Sequence, residues 1–414
     1  MADPINVKHI LDDAAFSARA RMLREAGLPV RPRLITFNIT DRCNAHCAMC
    51  DIHGRKPAGP ELTLQQVRRL FADPAMQRLA VLRITGGEPF LRRDIGEIAR
   101  TAQSRTQVRI IYVTTNGLLP DRVESILKNE ARGGDALQLQ VSLAALDASH
   151  DTLRGVPGAR ERAIDTLRRL AALRRDYDFH FGINQTVLAH TLDQIEPMHA
   201  LARDLGAGHS IILGARHHEG KEMARAALNG APLPFETQEP LAHEQVQAFY
   251  DTVAMVKGPL RLRDKDGPAA SAFLRELSEA YLNQGGCNRL LYGKYEPAPP
   301  CMALFAHARI LPHGDVVACS VLADRPIGNV AHRTFGAVWR TARARAVRRR
   351  VLRCPGCWIE CDIQPSIFYS GDIVPWTVKR LMGEDMDMRQ KWERKPRRRG
   401  GAEGESDCPA GNFY

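Results

Sequence analysis

The segment Cys43-Asn44-Ala45-His46-Cys47-Ala48-Met49-Cys50 carries three cysteines in the spacing CxxxCxxC, directly after the apolar run at residues 34–39. A [4Fe–4S] cluster takes four ligands when every iron is capped, so three cysteines leave one iron open to a small ligand. The pattern therefore favours a catalytic cluster over one that only transfers electrons. A structural zinc site is the alternative, but such sites usually have four protein ligands. His46 has little reach from its place between two of the cysteines.

A second motif follows the next strand-like segment along the chain. Residues 80–85 end in the turn Gly86-Gly87-Glu88-Pro89. Glycines let the backbone approach a ligand closely, and proline fixes the geometry of a turn. One such turn alone is weak support for a ligand site. Its place after a CxxxCxxC segment, with a strand-like segment before each motif, makes the combination specific.

The two motifs together resemble the radical S-adenosylmethionine (SAM) superfamily. The resemblance implies a [4Fe–4S] cluster on the three cysteines, with SAM bound to the open iron through its amino and carboxylate groups. It also implies that the GGEP turn meets the methionine end of SAM, and that Met49 stands near the adenine, where the family often has an aromatic residue. The implied ligands are Cys43, Cys47 and Cys50 for the cluster, and Met49, Gly86, Gly87 and Glu88 for SAM.

Three further SAM contacts are expected at or after the strand ends. Asn116 follows the third strand-like segment and Ser142 ends the fourth, at the edge where ligands bind in open α/β sheets. Members of the resembling family often place a serine at the Ser142 position, near the SAM ribose or carboxylate. Arg154 has a planar guanidinium that matches the two oxygens of a carboxylate. Ordinary hydrogen bonding at strand ends is the alternative for each of the three.

Strand-like and amphipathic helical segments alternate along the first half of the chain. This alternation predicts a parallel sheet with helices packed outside it. Six repeats are too few for a closed eight-stranded barrel. We therefore expect an α/β fold with a partial (β/α)6 barrel, which is also the fold that the resemblance implies. The predicted strands are 33–39, 80–85, 108–114, 137–143, 179–188 and 209–214, and the helices between them lie near 63–72, 94–104, 121–129, 161–175 and 193–205.

The last third of the chain carries a second set of cysteines. A β-hairpin is predicted between Cys301 and Cys319, with its turn at Pro312-His313-Gly314-Asp315. The segment Cys354-Pro355-Gly356-Cys357 follows, and then Cys361. This order resembles the SPASM/twitch extension of radical SAM enzymes, which holds auxiliary iron–sulfur clusters. The fuller two-cluster motif is incomplete here, so the resemblance implies one auxiliary cluster, of the [4Fe–4S] type.

The ligands of that auxiliary cluster are assigned only through the resemblance. The preferred set is Cys301, Cys319, Cys354 and Cys357, with Cys361 able to displace one of them. Cys287 is an upstream ligand, a hydrogen-atom donor or a buried thiol, and the sequence leaves these open, as it does for Cys408. A zinc knuckle is the alternative for the whole region.

The chain is expected to have five parts. These are a helical lead-in at 1–32, with a helix near 9–26; the partial barrel at 33–215; a linker and helices at 216–300, with a helix near 241–257; a SPASM/twitch-like domain at 301–385; and a basic, disordered tail at 386–414. His217 and His218 fall in a stretch rich in glycine and proline, and a solvated loop is favoured over a metal site there.

The net charge of +11 is concentrated in two stretches. Seven arginines and no acidic residue lie between Arg340 and Arg353, and seven basic residues with one acid lie at 389–401. Interleaved aromatic residues, which would stack bases, are absent, so no nucleic-acid partner is expected. The chain has no apolar run of 18 residues and no signal-peptide pattern. No membrane association is expected, and free cysteines without a secretion signal favour the cytoplasm.

Two functional classes follow from these observations. The first is an enzyme of the oxidoreductase or maturase type. It would cleave SAM to a 5′-deoxyadenosyl radical and remove hydrogen from a carbon of a peptide or small molecule, with flavodoxin or ferredoxin as electron donor. The second is an iron–sulfur protein that binds nucleic acid or a partner and has a vestigial SAM site. The intact motifs favour the first class, but identify neither the substrate nor a catalytic acid, base or hydrogen donor.

Overall fold

The computed structural model of the protein describes residues 7–50, 52–54, 57–130, 137–216, 233, 235–258 and 270–381. Strands in this part of the chain form one open sheet in the order β6-β5-β4-β3-β2-β1-β7-β8-β9. The first six are parallel to their neighbours, as the partial barrel predicts. The strands are β1 Leu34–Asn38, β2 Val81–Thr85, β3 Ile110–Thr115, β4 Leu137–Ser142, β5 His180–Val187, β6 Gly208–Leu213, β7 His307–Ile310, β8 Asp315–Val317 and β9 Gly328–Asn329.

Helices connect the parallel strands and continue beyond them. Their apolar sides pack against the sheet, as shown for α2 by buried Val67, Leu70 and Phe71. The helices in the described residues are α1 Val7–Glu25, α2 Leu64–Ala72, α3 Ile95–Arg105, α4 Pro120–Glu130, α5 Ser149–Arg154, α6 Ala159–Leu173, α7 Ile195–Asp204, α8 His243–Lys257, α9 Ala270–Tyr292, α10 Phe335–Trp339, α11 Ala342–Leu352, α12 Glu360–Tyr369 and α13 Ile373–Leu381.

The predicted C-terminal hairpin is present, and it extends the barrel sheet. Strand β7 pairs with β1 in parallel, with Leu34 opposite His307 and Thr36 opposite Arg309. Strand β8 then pairs antiparallel with β7. The sequence predicted the hairpin but not its pairing partner. The pairing brings the second set of cysteines to the same sheet as the first.

The chain divides into two compact units, Met1–Ile373 and Val374–Tyr414. The first contains the whole sheet and a large apolar core, in which Phe37, Ile84 and Leu139 are fully buried. In the second, the Arg380 guanidinium lies over the Trp376 ring. Among the described residues, no helix has the length and apolar character needed to cross a bilayer. The predicted loop histidines His217 and His218, the tail at 386–414 and Cys408 lie outside the described residues.

Candidate functional site

The loop with the first three cysteines starts at the carboxyl end of β1 and is fastened to the GGEP turn. The Gly87 amide donates to the Thr40 carbonyl at 2.8 Å, and the Glu88 amide donates to the Arg42 carbonyl at 2.8 Å. Residues 40–42 therefore lie directly against the turn, and the two sequence motifs form one structural unit.

The two glycines of the turn make this close approach possible. A Cβ added at Gly86 would lie 2.2 Å from the Thr40 carbonyl oxygen, and one at Gly87 would lie 2.1 Å from the Arg42 carbonyl oxygen. Gly86 also has a φ of +143°, which side chains rarely tolerate. The close contact between this turn and the backbone of the cysteine loop therefore requires glycine at both positions. This requirement holds whether or not the turn also contacts a ligand.

Glu88 is fully buried and ties the turn to the end of β3. Its carboxylate accepts hydrogen bonds from the Phe90 amide at 3.0 Å, the Thr115 hydroxyl at 2.8 Å and the Asn116 amide at 2.7 Å. Burial raises the pKa of Glu88, and these three hydrogen bonds oppose that rise. Because its oxygens are engaged inside the protein, Glu88 positions the turn, and its contact with SAM stays a prediction.

Asn116 links the end of β3 to the cysteine loop. Its Nδ2 donates to Asn44 Oδ1 at 2.8 Å and lies 3.9 Å from Cys43 Sγ. Its Oδ1 accepts from the Leu118 amide at 3.0 Å, which fixes the orientation of the side chain. The structure therefore brings Asn116 to the predicted cluster.

Arg154 approaches the same loop from α5. Its Nη1 donates to Cys47 Sγ at 3.5 Å, and its Nη2 donates to the Ser142 carbonyl at 3.0 Å. The His46 amide donates to the Arg154 carbonyl at 2.9 Å, so the backbone of α5 also supports the loop. The Nε of Arg154 is buried without a hydrogen-bond partner among the described residues. The positive charge of Arg154 and its unused Nε donor thus lie beside the Cys47 thiol. A cluster and an anionic ligand bound there would carry negative charge, which this arginine would stabilise.

The three thiols of the loop lie within electrostatic reach of one another. Burial raises the pKa of Cys43, the Ala45 amide opposes this, and the charges of Glu88, Cys47 and Cys50 add to the rise. Cys43 and Cys47 pack against an apolar cluster, whereas Cys50 is exposed. One side of the group therefore stays open.

Four cysteines of the second set converge from separate parts of the chain. Cys301 and Cys354 share a hydrogen bond, which raises the pKa of Cys301 and lowers that of Cys354 to about 7. Burial raises the pKa of Cys319 and of Cys357, and the charge of Cys354 adds to the rise in both. The structure thus groups the four predicted ligands, Cys301, Cys319, Cys354 and Cys357.

Cys361, the fifth cysteine of this region, contacts an arginine. Its thiol accepts a hydrogen bond from Arg309 Nη2 at 3.4 Å. Burial raises its pKa to about 11, the charge of Asp362 adds to the rise, and Arg309 and Arg83 oppose it. The place of Cys361 as an alternative cluster ligand stays a prediction.

Two arginines on strands that flank β1 hold the Cys361 segment. Thr36 of β1 is opposite both Arg83 and Arg309. Arg83 donates to the Cys361 carbonyl at 3.0 Å, and Arg309 forms an ion pair with Asp362 at 3.0 Å. Burial opposes ionisation of Asp362, but Arg309 and Ser320 outweigh it and hold the pKa of Asp362 below its usual value. The beginning of α12 is thereby fixed over the strands.

A cavity of about 710 Å³ is lined by residues of the first cysteine loop and by neighbours of the second cysteine group. Met49 and Cys50 of the first loop line it, together with Thr114, Ser142, Thr186 and Ser210 of the parallel strands. Another part of the wall comes from Ser320, next to Cys319, and from the segment Trp358–Cys361, which follows Cys357. Cys50 and the sequence neighbours of Cys319 and Cys357 therefore border one space.

This cavity is lined by two carboxylates, Glu279 and Glu360, that the sequence analysis did not identify. Glu279 of α9 accepts from the Ser210 hydroxyl at 2.7 Å and pairs with Lys257 at 2.7 Å. Burial and then the charge of Glu279 raise the pKa of Glu360 to about 7. Residues 270–292 gave no motif in the sequence. The one available signal was Gly285-Gly286, because the bare backbone at Gly285 leaves room for the Trp358 ring.

A family model described as the radical SAM superfamily matches residues 37–202, and one described as an iron–sulfur cluster-binding domain, SPASM, matches residues 301–362. These two ranges contain the cysteine loop, the GGEP turn and the second cysteine group. The chain belongs to the radical SAM superfamily. Residues 301–362 form a SPASM extension, as the sequence predicts.

Curated relatives match the radical SAM part. The chain is 37% identical over 180 residues to the AdoMet-dependent heme synthase of Methanosarcina barkeri, which is 42% of this chain and 48% of that protein. It is 28% identical over 174 residues to the GTP 3′,8-cyclase of Yersinia pestis, which is 39% of this chain and 51% of that protein. The match thus spans about half the length of each relative, and both relatives are enzymes.

Solved structures with the same fold include SuiB of Streptococcus suis. The crystal structure of SuiB has a TM-score of 0.53 at 15% identity, over 78% of this chain and 70% of SuiB. SuiB bound to the precursor peptide SuiA has a TM-score of 0.52 at 15% identity, over 83% and 72%. At this identity the likeness shows the radical SAM fold with its SPASM extension.

Membership implies a [4Fe–4S] cluster with SAM at the first cysteine group and an auxiliary iron–sulfur cluster at the second. The residues present fit both. At the first group, three thiols, an open side at Cys50 and the spare Nε of Arg154 suit a cluster with one exchangeable position. At the second, four thiols suit a fully capped cluster.

The nine described cysteines are all free. Among the described residues, no three possible ligands form a group that could hold a single metal ion.

Proposed function

We propose that the protein is an enzyme that cleaves SAM reductively and abstracts a hydrogen atom from a carbon of a peptide or small molecule. The observation that carries this proposal is the cavity of about 710 Å³, which is bordered by Met49 and Cys50 on one side and by Ser320 and Trp358–Cys361 on another. When bound, the cluster and SAM supply a 5′-deoxyadenosyl radical for hydrogen abstraction. A substrate in this cavity would lie between the two cysteine groups.

The chain's own residues bind, orient and exclude water. Arg154, tied to Ser142, presents a cation at the cysteine loop, and its spare Nε is available to the SAM carboxylate. Asn116 fixes the loop through Asn44. Apolar side chains on the wall, among them Leu188, Leu213 and Trp358, limit the water that can reach a reactive intermediate.

We infer that the net reaction is an oxidation of the substrate. Four thiols can cap all four irons of an auxiliary [4Fe–4S] cluster, which leaves no vacancy for a second SAM and suits electron transfer. Ser320, next to the ligand Cys319, lines the cavity. The substrate would lose one hydrogen atom to the radical, one proton to solvent and one electron to the second group.

Epimerisation is a second candidate because of Cys361. This cysteine lines the cavity, and a thiol there can return a hydrogen atom to a substrate radical. The two candidates differ in where the product hydrogen comes from. In deuterated water an epimerised product gains one deuterium at carbon, whereas a dehydrogenated product is lighter by two hydrogens.

The assay that tests the proposal follows 5′-deoxyadenosine by chromatography after anaerobic incubation of the reconstituted protein with SAM and dithionite. We expect formation by the wild type and no detectable formation by Cys47→Ala, because the cluster loses a ligand. Cys287→Ala is the matched control, since its thiol lies near Tyr250 and Asp251, and we expect it to lie outside both groups. A wild type that binds iron and SAM but forms no 5′-deoxyadenosine would instead support a vestigial SAM site.

A further inference from the structure

The exposed face of α11 has a charge pattern that sets it apart from the rest of the surface. Five of its arginines, counting the one that directly follows the helix, are exposed, and the structure describes no carboxylate paired with any of them. By contrast, the partly exposed Arg169 pairs with three carboxylates, and the exposed Arg68 pairs with Glu97. The exposed arginines of α11 are Arg343, Arg345, Arg349, Arg350 and Arg353.

This arrangement is unfavourable for an isolated helix. Arg345, Arg349 and Arg353 repeat at a spacing of four residues, and like charges at that spacing destabilise a helix. Solubility alone is served as well by mixed charges, which relieve this repulsion. A uniformly positive face that is kept despite this repulsion is typical of a surface that binds a negatively charged partner.

The fold holds α11 rigidly from its inner side. Arg348 is buried and donates to the Leu304 and Trp339 carbonyls, each at 2.7 Å. Val347 and Val351 are buried in the main core. The arginine face is therefore presented in a fixed orientation, at little entropic cost on binding.

The helix ends at the second cysteine group. Cys354 follows Arg353 directly, and its amide donates to the Val351 carbonyl at 3.1 Å. Arg24 of α1 adds a cation at the same place, because it donates to the Cys301 carbonyl at 2.8 Å. Cys354 is half-buried beside exposed Pro355, so the grouped thiols come close to the protein surface here.

We propose that the arginine face of α11 is the docking surface for an acidic one-electron carrier protein, which exchanges electrons with the second cysteine group. The proposal rests on the oxidation inferred above, in which the electron from each substrate must leave; the carrier takes up that electron and the proton goes to solvent. Carriers of this kind bind through small, polar, transient interfaces, for which charge steering supplies the association rate. Nucleic acid is disfavoured because α11 has no aromatic residue to stack bases.

A charge-reversed variant, Arg345→Glu/Arg349→Glu, tests the docking surface. The control is Arg93→Glu/Arg105→Glu, which reverses two other exposed arginines. Association of the reconstituted full chain with a purified acidic flavodoxin is measured by stopped-flow, from the flavin semiquinone signal after dithionite reduction of the protein, at low and high salt. We expect the α11 variant to associate at least about tenfold more slowly at low salt, with a weaker salt dependence, and the control to stay within about twofold of wild type.

Two further measurements keep the outcome decisive. Circular dichroism and iron content should be unchanged in the α11 variant, and its 5′-deoxyadenosine formation with dithionite should equal that of wild type. A carrier rate equal to wild type in the folded α11 variant overturns the proposal, as does loss of binding to a single-stranded DNA probe with carrier exchange intact. If wild type itself cleaves no SAM, the proposed function fails, while the carrier measurement still decides the docking surface.

Discussion

The two cysteine groups of this protein are assembled in different ways. The first takes three thiols from one loop of eight residues, supported from below by the GGEP turn and from the side by Arg154. The second takes four thiols from separate segments, and Cys301 and Cys319 flank the hairpin whose strand β7 pairs with β1. The first group includes the exposed Cys50, whereas every cysteine of the second group is partly buried. This difference matches one site that must exchange a ligand and another that must keep its ligands.

The largest effect in this comparison is expected from Cys357→Ala. Loss of one of the four grouped thiols should reduce the iron content from about eight to about four per chain, if both clusters are cubes. Formation of 5′-deoxyadenosine should persist, because the first group is intact. Iron analysis and chromatography of the same sample measure both, with Cys287→Ala as the control. Loss of SAM cleavage together with the second cluster would show that the groups do not act separately.

A smaller effect is expected from Gly87→Ala, which tests the support of the first loop. A methyl group would lie 2.1 Å from the Arg42 carbonyl oxygen, so the loop must move. We expect a loss of about 3 kcal/mol in the free energy of unfolding, at the upper end of overpacking costs, and weaker SAM binding by calorimetry. The control is Gly54→Ala, since a Cβ there meets nothing within 4 Å. Equal stability and SAM affinity in the two variants would contradict the role of the turn.

The smallest effect on iron is expected from Cys361→Ser. Arg309 contacts this thiol, and the four grouped cysteines suffice for a cluster without it. The visible absorbance of the auxiliary cluster and its iron content should therefore match wild type, whereas the same change at Cys357 should lose both. Loss of iron in Cys361→Ser would return Cys361 to the ligand set and exclude it as the hydrogen donor of an epimerisation.

Much of the barrel could be predicted because its pattern is local. Each of the six parallel strands lies within two residues of its predicted bounds at either end, as alternating apolar runs and turns imply. The pairing of β7 with β1 could not be predicted, because Leu34 and His307 are distant in sequence and no local signal names a partner. The sequence did not predict the short helix α5 either. Its role is to support the cysteine loop, which is distant in sequence, so no local pattern signals it.

In the candidate site, too, the features set by a local pattern could be predicted, and those set by contacts between distant residues could not. Spacing within a motif pointed to the thiols of the first loop, and the resemblance to the SPASM extension implied the four grouped in the second. Contacts made across the fold were not visible in the sequence: Arg83 and Arg309 flank Thr36, and both contact Cys361. Likewise, the carboxylate of Glu279 reaches the cavity from a region that read as linker and helices.

The central claim is that the chain holds two independent iron–sulfur sites, one on each cysteine group. The most direct test is a Mössbauer spectrum, with iron and zinc analysis, of the variant Cys43→Ala/Cys47→Ala/Cys50→Ala, reconstituted anaerobically with isotopically enriched iron. We predict the spectrum of one [4Fe–4S] cluster and about four irons per chain, with no 5′-deoxyadenosine formed from SAM. Stoichiometric zinc without iron in that variant, or no bound metal in a folded chain, would contradict the claim.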